Sequence, residues 1–225
     1  MAINYRREAE EAENTAAEIR AMGRTARTYQ AAVDDYEACA RMVDAVAADF
    51  GGLSILVNNA GIASRGLSVA DTDPAELERV MRVHAFAPHY MSKLCIPHLR
   101  KHPRSDIIMI SSVATLSHAA NGAPYNMGKA ACESLALTLS KEEQRHGIRV
   151  NIVAPALTVS DMGDRLAKAV AGVADIHELD ARSPFGHVAT PDDVANAVIW
   201  LVSDNNSYAS GQKINIDGGG MGAWR

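Results

Sequence analysis

The chain has 225 residues, 48% of them hydrophobic, and a net charge of −5 with both signs interspersed. That length suits one α/β domain able to bury roughly 70% of its unfolded surface. No basic stripe suggests nucleic acid, no apolar run reaches the ~18 residues of a membrane span, and three distant cysteines (Cys39, Cys95, Cys132) make neither a disulfide framework nor a zinc site, so a reduced, cytoplasmic protein is expected.

In chain order, "AINY" at 2–5 reads as a strand and "RREAE" at 6–10 as the turn into a helix. Residues 8–22 place Ala9, Ala12, Ala16 and Ile19 at helical spacing and stop at Gly23. A short strand over 25–31 precedes an amphipathic helix over 36–50, closed by Gly51-Gly52. "LSILV" at 53–57 is a continuous apolar run, as in parallel strands buried on both faces. Asp73-Pro74 caps a helix running towards residue 100, with Pro88 expected to kink it. "DIIMI" at 106–110 is a strand, 124–146 a helix, and "IRVNIV" at 148–153 a strand. Thr190-Pro191-Asp192-Asp193 caps a helix to Val202, and "QKINI" at 212–216 is the last strand. This alternation predicts a single doubly wound parallel α/β sheet over 1–225. The irregular stretch 156–189 reads as a substrate lid, with a plain surface excursion as the alternative. Its Leu157, Met162, Leu166, Val170 and Phe185 make an apolar pocket lining.

The chemistry concentrates in "SSVATLSHAANGAPYNMGKAA", residues 111–131. Tyr125 and Lys129 stand four apart and share one helix face. A cation within a few Å lowers a phenol's pKa from about 10 by ~1–3 units, which makes it usable in proton transfer near neutral pH. Ser112 ends the preceding strand at the carboxyl edge, where open α/β sheets bind ligands, and its hydroxyl can hydrogen-bond a carbonyl oxygen. Alone, tyrosine and lysine at this spacing are more often a solvated pair. The order of their neighbours changes that: "LVNNAG" at 56–61 precedes them and "NIVAPALTVSDM" at 151–162 follows.

In these motifs, from residue 3 to about 220, the chain resembles the short-chain dehydrogenase/reductase family, in the form of 3-oxoacyl-(acyl carrier protein) reductases. The resemblance implies a Rossmann fold, bound NAD(H) or NADP(H), and hydride transfer between cofactor and a carbonyl or alcohol. It makes Tyr125 the general acid/base and gives Ser112 the substrate oxygen. Lys129 would hold the nicotinamide ribose and depress the tyrosine pKa. Val33, Asn59, Ala60, Gly61, Tyr125, Lys129, Ala156, Thr158 and Ser160 would lie along the cofactor. It further implies a small carbonyl or alcohol substrate, no nucleic-acid or membrane partner, and a homo-oligomer, tetramer or dimer, in which Trp224 could pack across a subunit boundary.

The chain departs from the family pattern at several points. His84 stands in "RVHAF" where the family has a proton-relaying asparagine; an imidazole can titrate near neutral pH and could serve the relay, or be structural. Ala32 replaces an aspartate, Ala156 follows Pro155 in place of glycine, and Ser160 replaces threonine. The family's first strand and T-G-x-x-x-G-x-G turn, whose glycines let the backbone approach a pyrophosphate, have no counterpart here. The expectation is an N-terminally truncated Rossmann domain whose "AINY" strand lacks its bridge to "LSILV". A cofactor-deficient partner subunit and an isomerase or dehydratase on the same scaffold are the rival readings. After the "AINY" strand, Arg6 and Arg7 precede the first acid, Glu8, which favours NADP(H) over NAD(H).

Overall fold

The computed structural model describes residues 1–219; Trp224 lies outside the described residues. Strand β1 (Ala2–Tyr5) leads into helix α1 (Ala9–Ala21), which buries Ala12 and Ala16. Strand β2 (Arg27–Gln30) precedes α2 (Tyr36–Phe50), where the Asp35 carboxylate accepts from the Ala38 amide and Gly51, at φ 74°, ends the helix in the left-handed region. Strand β3 (Ile55–Asn58) follows, and Asp73 caps α3 (Pro74–Met81).

The helix expected to run from 73 towards 100 is interrupted by a π-helical turn, Arg82–Phe86, before α4 (Ala87–Leu99). Pro88 explains the position. It donates no N–H and its ring crowds the carbonyl four residues back, that of His84, so the turn around His84 widens. Strand β4 (Ser105–Ile110), the one-turn α5 (Ala114–Ser117) and the long α6 (Ala123–Glu142) come next. After β5 (Ile148–Pro155), the 156–189 stretch holds α7 (Asp161–Ala171) and two 3-10 turns, Ile176–Arg182 and Pro184–Gly186. A reciprocal cap between Thr190 and Asp193 starts α8 (Pro191–Val202), and β6 (Lys213–Ile216) completes the order.

All strand pairs are parallel, but the described strands form two sheets. β1 pairs with β2, with Ala2 opposite Arg27; the other four run β3-β4-β5-β6. Each of β1 and β3 therefore has one edge with no strand beside it among the described residues. This matches the separation expected between "AINY" and "LSILV". Ile55 and Val57, on the face of β3 opposite Leu56, are 46% and 42% exposed, so this apolar run is covered on one face and not on both as expected.

Alternation along β4 builds two core layers. Ile107 and Met109 pack with β5 residues Ile148, Val150 and Ile152 beneath Cys95 and Leu99 of α4 and Cys132, Ala136 and Leu139 of α6. Ile108 faces the other way, with Val153 and Leu201 under α8. Helix α2 joins the two sheets: Met42 and Val46 pack with Ala31 after β2 and with Leu53 and Met91 on the β3 side. The three cysteines are free and buried, and burial pushes their thiols up to about 11 to 12.

Candidate active site

Parallel pairing brings the carboxyl ends of β3, β4 and β5 to one edge, and α6 crosses behind it. Lys129 sits one turn after Tyr125 on α6 and is only 5% exposed. Among the described residues its Nζ makes one hydrogen bond, donated to the Ile110 carbonyl at 2.7 Å, and lies 5.7 Å from the centre of the Tyr125 ring. Burial lowers the Lys129 pKa to about 8. The phenol moves the other way: burial raises the Tyr125 pKa from its ordinary value, and the nearby Ser112 hydroxyl partly offsets the rise. The expectation that Lys129 depresses the tyrosine pKa is thus corrected. Its ammonium is directed at the end of β4, and desolvation of the phenol dominates.

His84 is 2% exposed and lies edge-on to Tyr125, ring centres 5.1 Å apart at 77°. Its Nε2 lies 2.7 Å from the Ile62 carbonyl and 3.2 Å from the Ile62 amide; the shorter contact favours the ring proton on Nε2, donated to the carbonyl, which leaves Nδ1 a buried acceptor without a protein partner among the described residues. Burial, with the nearby Lys129 charge, lowers its pKa to about 4. Titration of His84 near neutral pH is therefore also corrected: the imidazole is neutral there. Two glycines make room for it. A Cβ on Gly128 would lie 2.8 Å from the His84 Cβ, and one on Gly61 would lie 3.0 Å from its ring.

Ser112 follows β4 and is held by a bond from the Ala114 amide to its Oγ at 3.2 Å, with the Pro155 carbonyl 3.4 Å away. Asn59, Ala60 and Gly61 are exposed just past β3. Past β5, the Ala156 amide donates to Ile216, and Thr158 Oγ1 to the Ala156 carbonyl. Ser160 keeps its hydroxyl, as expected of the replacement, but that hydroxyl caps α7: it accepts from the Gly163 amide and donates to Thr158. Arg6 and Val33 follow β1 and β2 on the separate two-stranded sheet; Arg6 is exposed and the Val33 carbonyl accepts from the Cys39 thiol. The 156–189 segment has a small core of its own, where the partly buried Leu157 packs against Ala167, Ile176, Leu179 and Val188; Leu166, Val170 and Phe185 are exposed.

Sequence reasoning missed Ser111, Glu133 and Lys213. Glu133 accepts from Ser111 at 2.5 Å and from Lys213 at 2.8 Å beside Ser112. The available signal was its position four residues after Lys129 on the same helix face.

A buried ammonium with two N–H groups to spare, next to a phenol at the sheet's carboxyl edge, fits the diol of a nicotinamide ribose. The pyrophosphate has no comparable cradle among the described residues: Gly51-Gly52 ends a helix, and Gly218-Gly219 follows β6.

Residues 1–220 match the family model described as enoyl-(acyl carrier protein) reductase. The chain is 34% identical to a 3alpha-hydroxysteroid dehydrogenase of Mediterraneibacter gnavus, over 79% of this chain and 68% of the relative. It is 31% identical to a 3-oxoacyl-(acyl-carrier-protein) reductase of Staphylococcus aureus, over 97% of this chain and 87% of the relative. A short-chain dehydrogenase from Burkholderia cenocepacia, solved in complex with NADP, superposes with a TM-score of 0.86 at 34% identity, covering 97% of this chain and 86% of that one. Fold, sequence and the order of the site residues along the chain agree: the protein belongs to the short-chain dehydrogenase/reductase family of NAD(P)-dependent oxidoreductases, which interconvert ketones and secondary alcohols.

Proposed function

We propose that Tyr125 is the general acid/base of a ketone–alcohol interconversion, with Ser112 orienting the substrate oxygen, Lys129 holding the nicotinamide ribose and NADP(H) preferred. The observation that carries this reading is the assembly of Ser112, Tyr125, Lys129 and His84 at the carboxyl edge of β3 to β5. When bound, the nicotinamide supplies or accepts the hydride. The Ser112 hydroxyl donates to the carbonyl oxygen of the substrate and fixes it against the phenol. Tyr125 Oη gives its proton to that oxygen in reduction and takes it back in oxidation. Lys129 would hold the ribose hydroxyls with the N–H groups that its bond to Ile110 leaves over, and would supply a proton towards the phenolate. The neutral His84 keeps Nδ1 as an acceptor for a water in that relay, without changing charge.

Arg6 supports the cofactor preference. It is exposed at the carboxyl end of β1, makes no ion pair among the described residues, and precedes the first acid, Glu8. A guanidinium there suits the 2′-phosphate of NADP. Asn59, Ala60, Gly61, Val33, Ala156 and Thr158 are assigned to the cofactor cleft by their positions just past strand ends. Segment 156–189 is assigned as the lid over an apolar ketone, on the exposure of Leu166, Val170 and Phe185. Exposed Ile199 and Trp200 on α8 and Leu137 on α6 suit contacts between copies in a homo-oligomer, and the free thiols suit the cytoplasm.

The test is a fluorescence titration of the purified chain with NADPH and, in parallel, NADH. Saturable binding that is tighter for NADPH, with the difference narrowed in Arg6→Ala, is the expected result. Absence of binding by a folded chain, or a preference for NADH, would overturn the corresponding part of the proposal. Size-exclusion chromatography with light scattering reads the oligomer.

A further inference from the structure

Three consecutive turns of α6 grip the exit of β4. Tyr125 faces Ser112 closely enough for the hydroxyl to favour the phenolate, Lys129 donates to the Ile110 carbonyl, and Glu133 accepts from Ser111 at 2.5 Å. Positions i, i+4 and i+8 of one helix thus hold residues 110 to 112 of one strand end. At Glu133 the grip also reaches across Ser112. The same carboxylate oxygen accepts from Thr115 Oγ1 at 2.8 Å and pairs with Lys213 Nζ, from β6, at 2.8 Å. Lys213 donates as well to Thr115 Oγ1, at 2.6 Å.

Thr115 Oγ1 has one proton and two acceptors in reach, the Glu133 carboxylate and the Ser112 carbonyl at 2.9 Å. A charged carboxylate is the stronger acceptor, which leaves the Ser112 carbonyl to the Thr115 amide at 3.2 Å. The residues on both sides of Ser112 are therefore fixed by one partly buried anion that a lysine from a different strand holds in place.

We propose that Glu133 is a positioning residue: by holding Ser111 and Thr115 on either side of Ser112, with Lys213 as its anchor, it sets the Ser112 hydroxyl against the Tyr125 phenol. This rests on the reading of Ser112 and Tyr125 as partners of the substrate oxygen. Glu133 touches neither the phenol nor the Ser112 hydroxyl and acts through the loop between them.

The sign of one titration separates positioning from charge. The phenol is faced by Ser112, by His84, which is neutral above pH 7, and by Lys129, with Glu133 one turn beyond. Removing the Glu133 charge favours the phenolate and lowers the Tyr125 pKa. Moving the Ser112 hydroxyl away from the phenol raises it.

The experiment is an NMR pH titration of the intact chain carrying ring-carbon-labelled tyrosine, with Tyr125→Phe to assign the signal. Ser112→Ala, Glu133→Gln and the double variant are compared, with melting curves beside each. The expected result is an upward shift of the Tyr125 midpoint in Glu133→Gln, no larger than that of Ser112→Ala, and no further shift in the double variant. A downward shift, no shift, or full addition of the two effects in the double variant would overturn the proposal. Should Glu133→Gln melt early, Thr115→Val, which changes no charge, carries the test and is expected to shift the midpoint upward. The titration needs no cofactor and no turnover, so its outcome is independent of the NADPH measurement.

Discussion

The Lys129 ammonium donates to the Ile110 carbonyl at 2.7 Å and leaves the Tyr125 phenol, whose ring centre is 5.7 Å away, to be governed by its own burial. This gives the two reaction directions different pH dependences. Reduction needs a protonated phenol, and burial, which raises the Tyr125 pKa from its ordinary value, keeps it protonated throughout the neutral range. Oxidation needs phenolate, whose fraction grows with each pH unit up to that pKa. Initial rates should therefore be nearly flat in the reductive direction from pH 6 to about 7.5 and climb steadily from neutral to alkaline pH in the oxidative one. Tyr125→Phe should lose about 10²–10⁴-fold in both. An oxidative optimum at or below neutral pH would contradict this placement.

His84 should make the fold sensitive to acid. Its folded pKa of about 4 lies below the ordinary 6.5, so the unfolded chain binds the additional proton between those values. The stability it supports is fully present above pH 6.5 and is lost as pH falls through about 4. The loss is on the order of 3 kcal/mol at one pKa unit per 1.36 kcal/mol. Urea unfolding at pH 7 and pH 4.5 should show a clear drop for the wild type and a shallower one for His84→Asn. Equal slopes in the two proteins would disprove the assignment.

Phe185 lies in the left-handed region, at φ 59°, with 86% of its surface exposed. An aromatic residue there carries strain of roughly 1–2 kcal/mol and loses little packing if replaced. Phe185→Asn should leave the melting temperature unchanged or raised by a few degrees. If the lid reading holds, the same variant raises KM for an apolar ketone with kcat little altered.

The two-stranded sheet should be the less stable part of the fold. β1 and β2 pair only with each other and lean on α1 and, through Tyr29 and Ala31, on α2, whereas β4 and β5 are each paired on both sides and buried on both faces. Two-stranded sheets are marginal without a packed face. Hydrogen–deuterium exchange should label 2–5 and 27–30 well before 105–110 and 148–155. Uniform protection across all four strands would show that α2 ties the halves into one cooperative unit.

Spacing and periodicity carried the α/β class, the element order and the chemistry-bearing residues. The Tyr125–Lys129 spacing puts both on one face of α6, and the apolar runs at 106–110 and 148–153 read as strands. The motif order from "NNAG" to Pro155 likewise sufficed to identify the family. What those patterns could not determine was direction and depth. Where the Lys129 ammonium points depends on the end of β4, 19 residues upstream, and the depressed pKa of His84 depends on Gly61 and Gly128 closing around it. The widened turn at 82–86 follows from Pro88, but that its His84 side chain meets the Ile62 carbonyl follows only from the fold. The anchoring of Glu133 by Lys213, 80 positions later in the chain, exists only because β6 pairs with β5. Local sequence sets which groups share a face; hydrogen-bond partners and desolvation arise from segments distant in the chain, and only the folded structure brings those together.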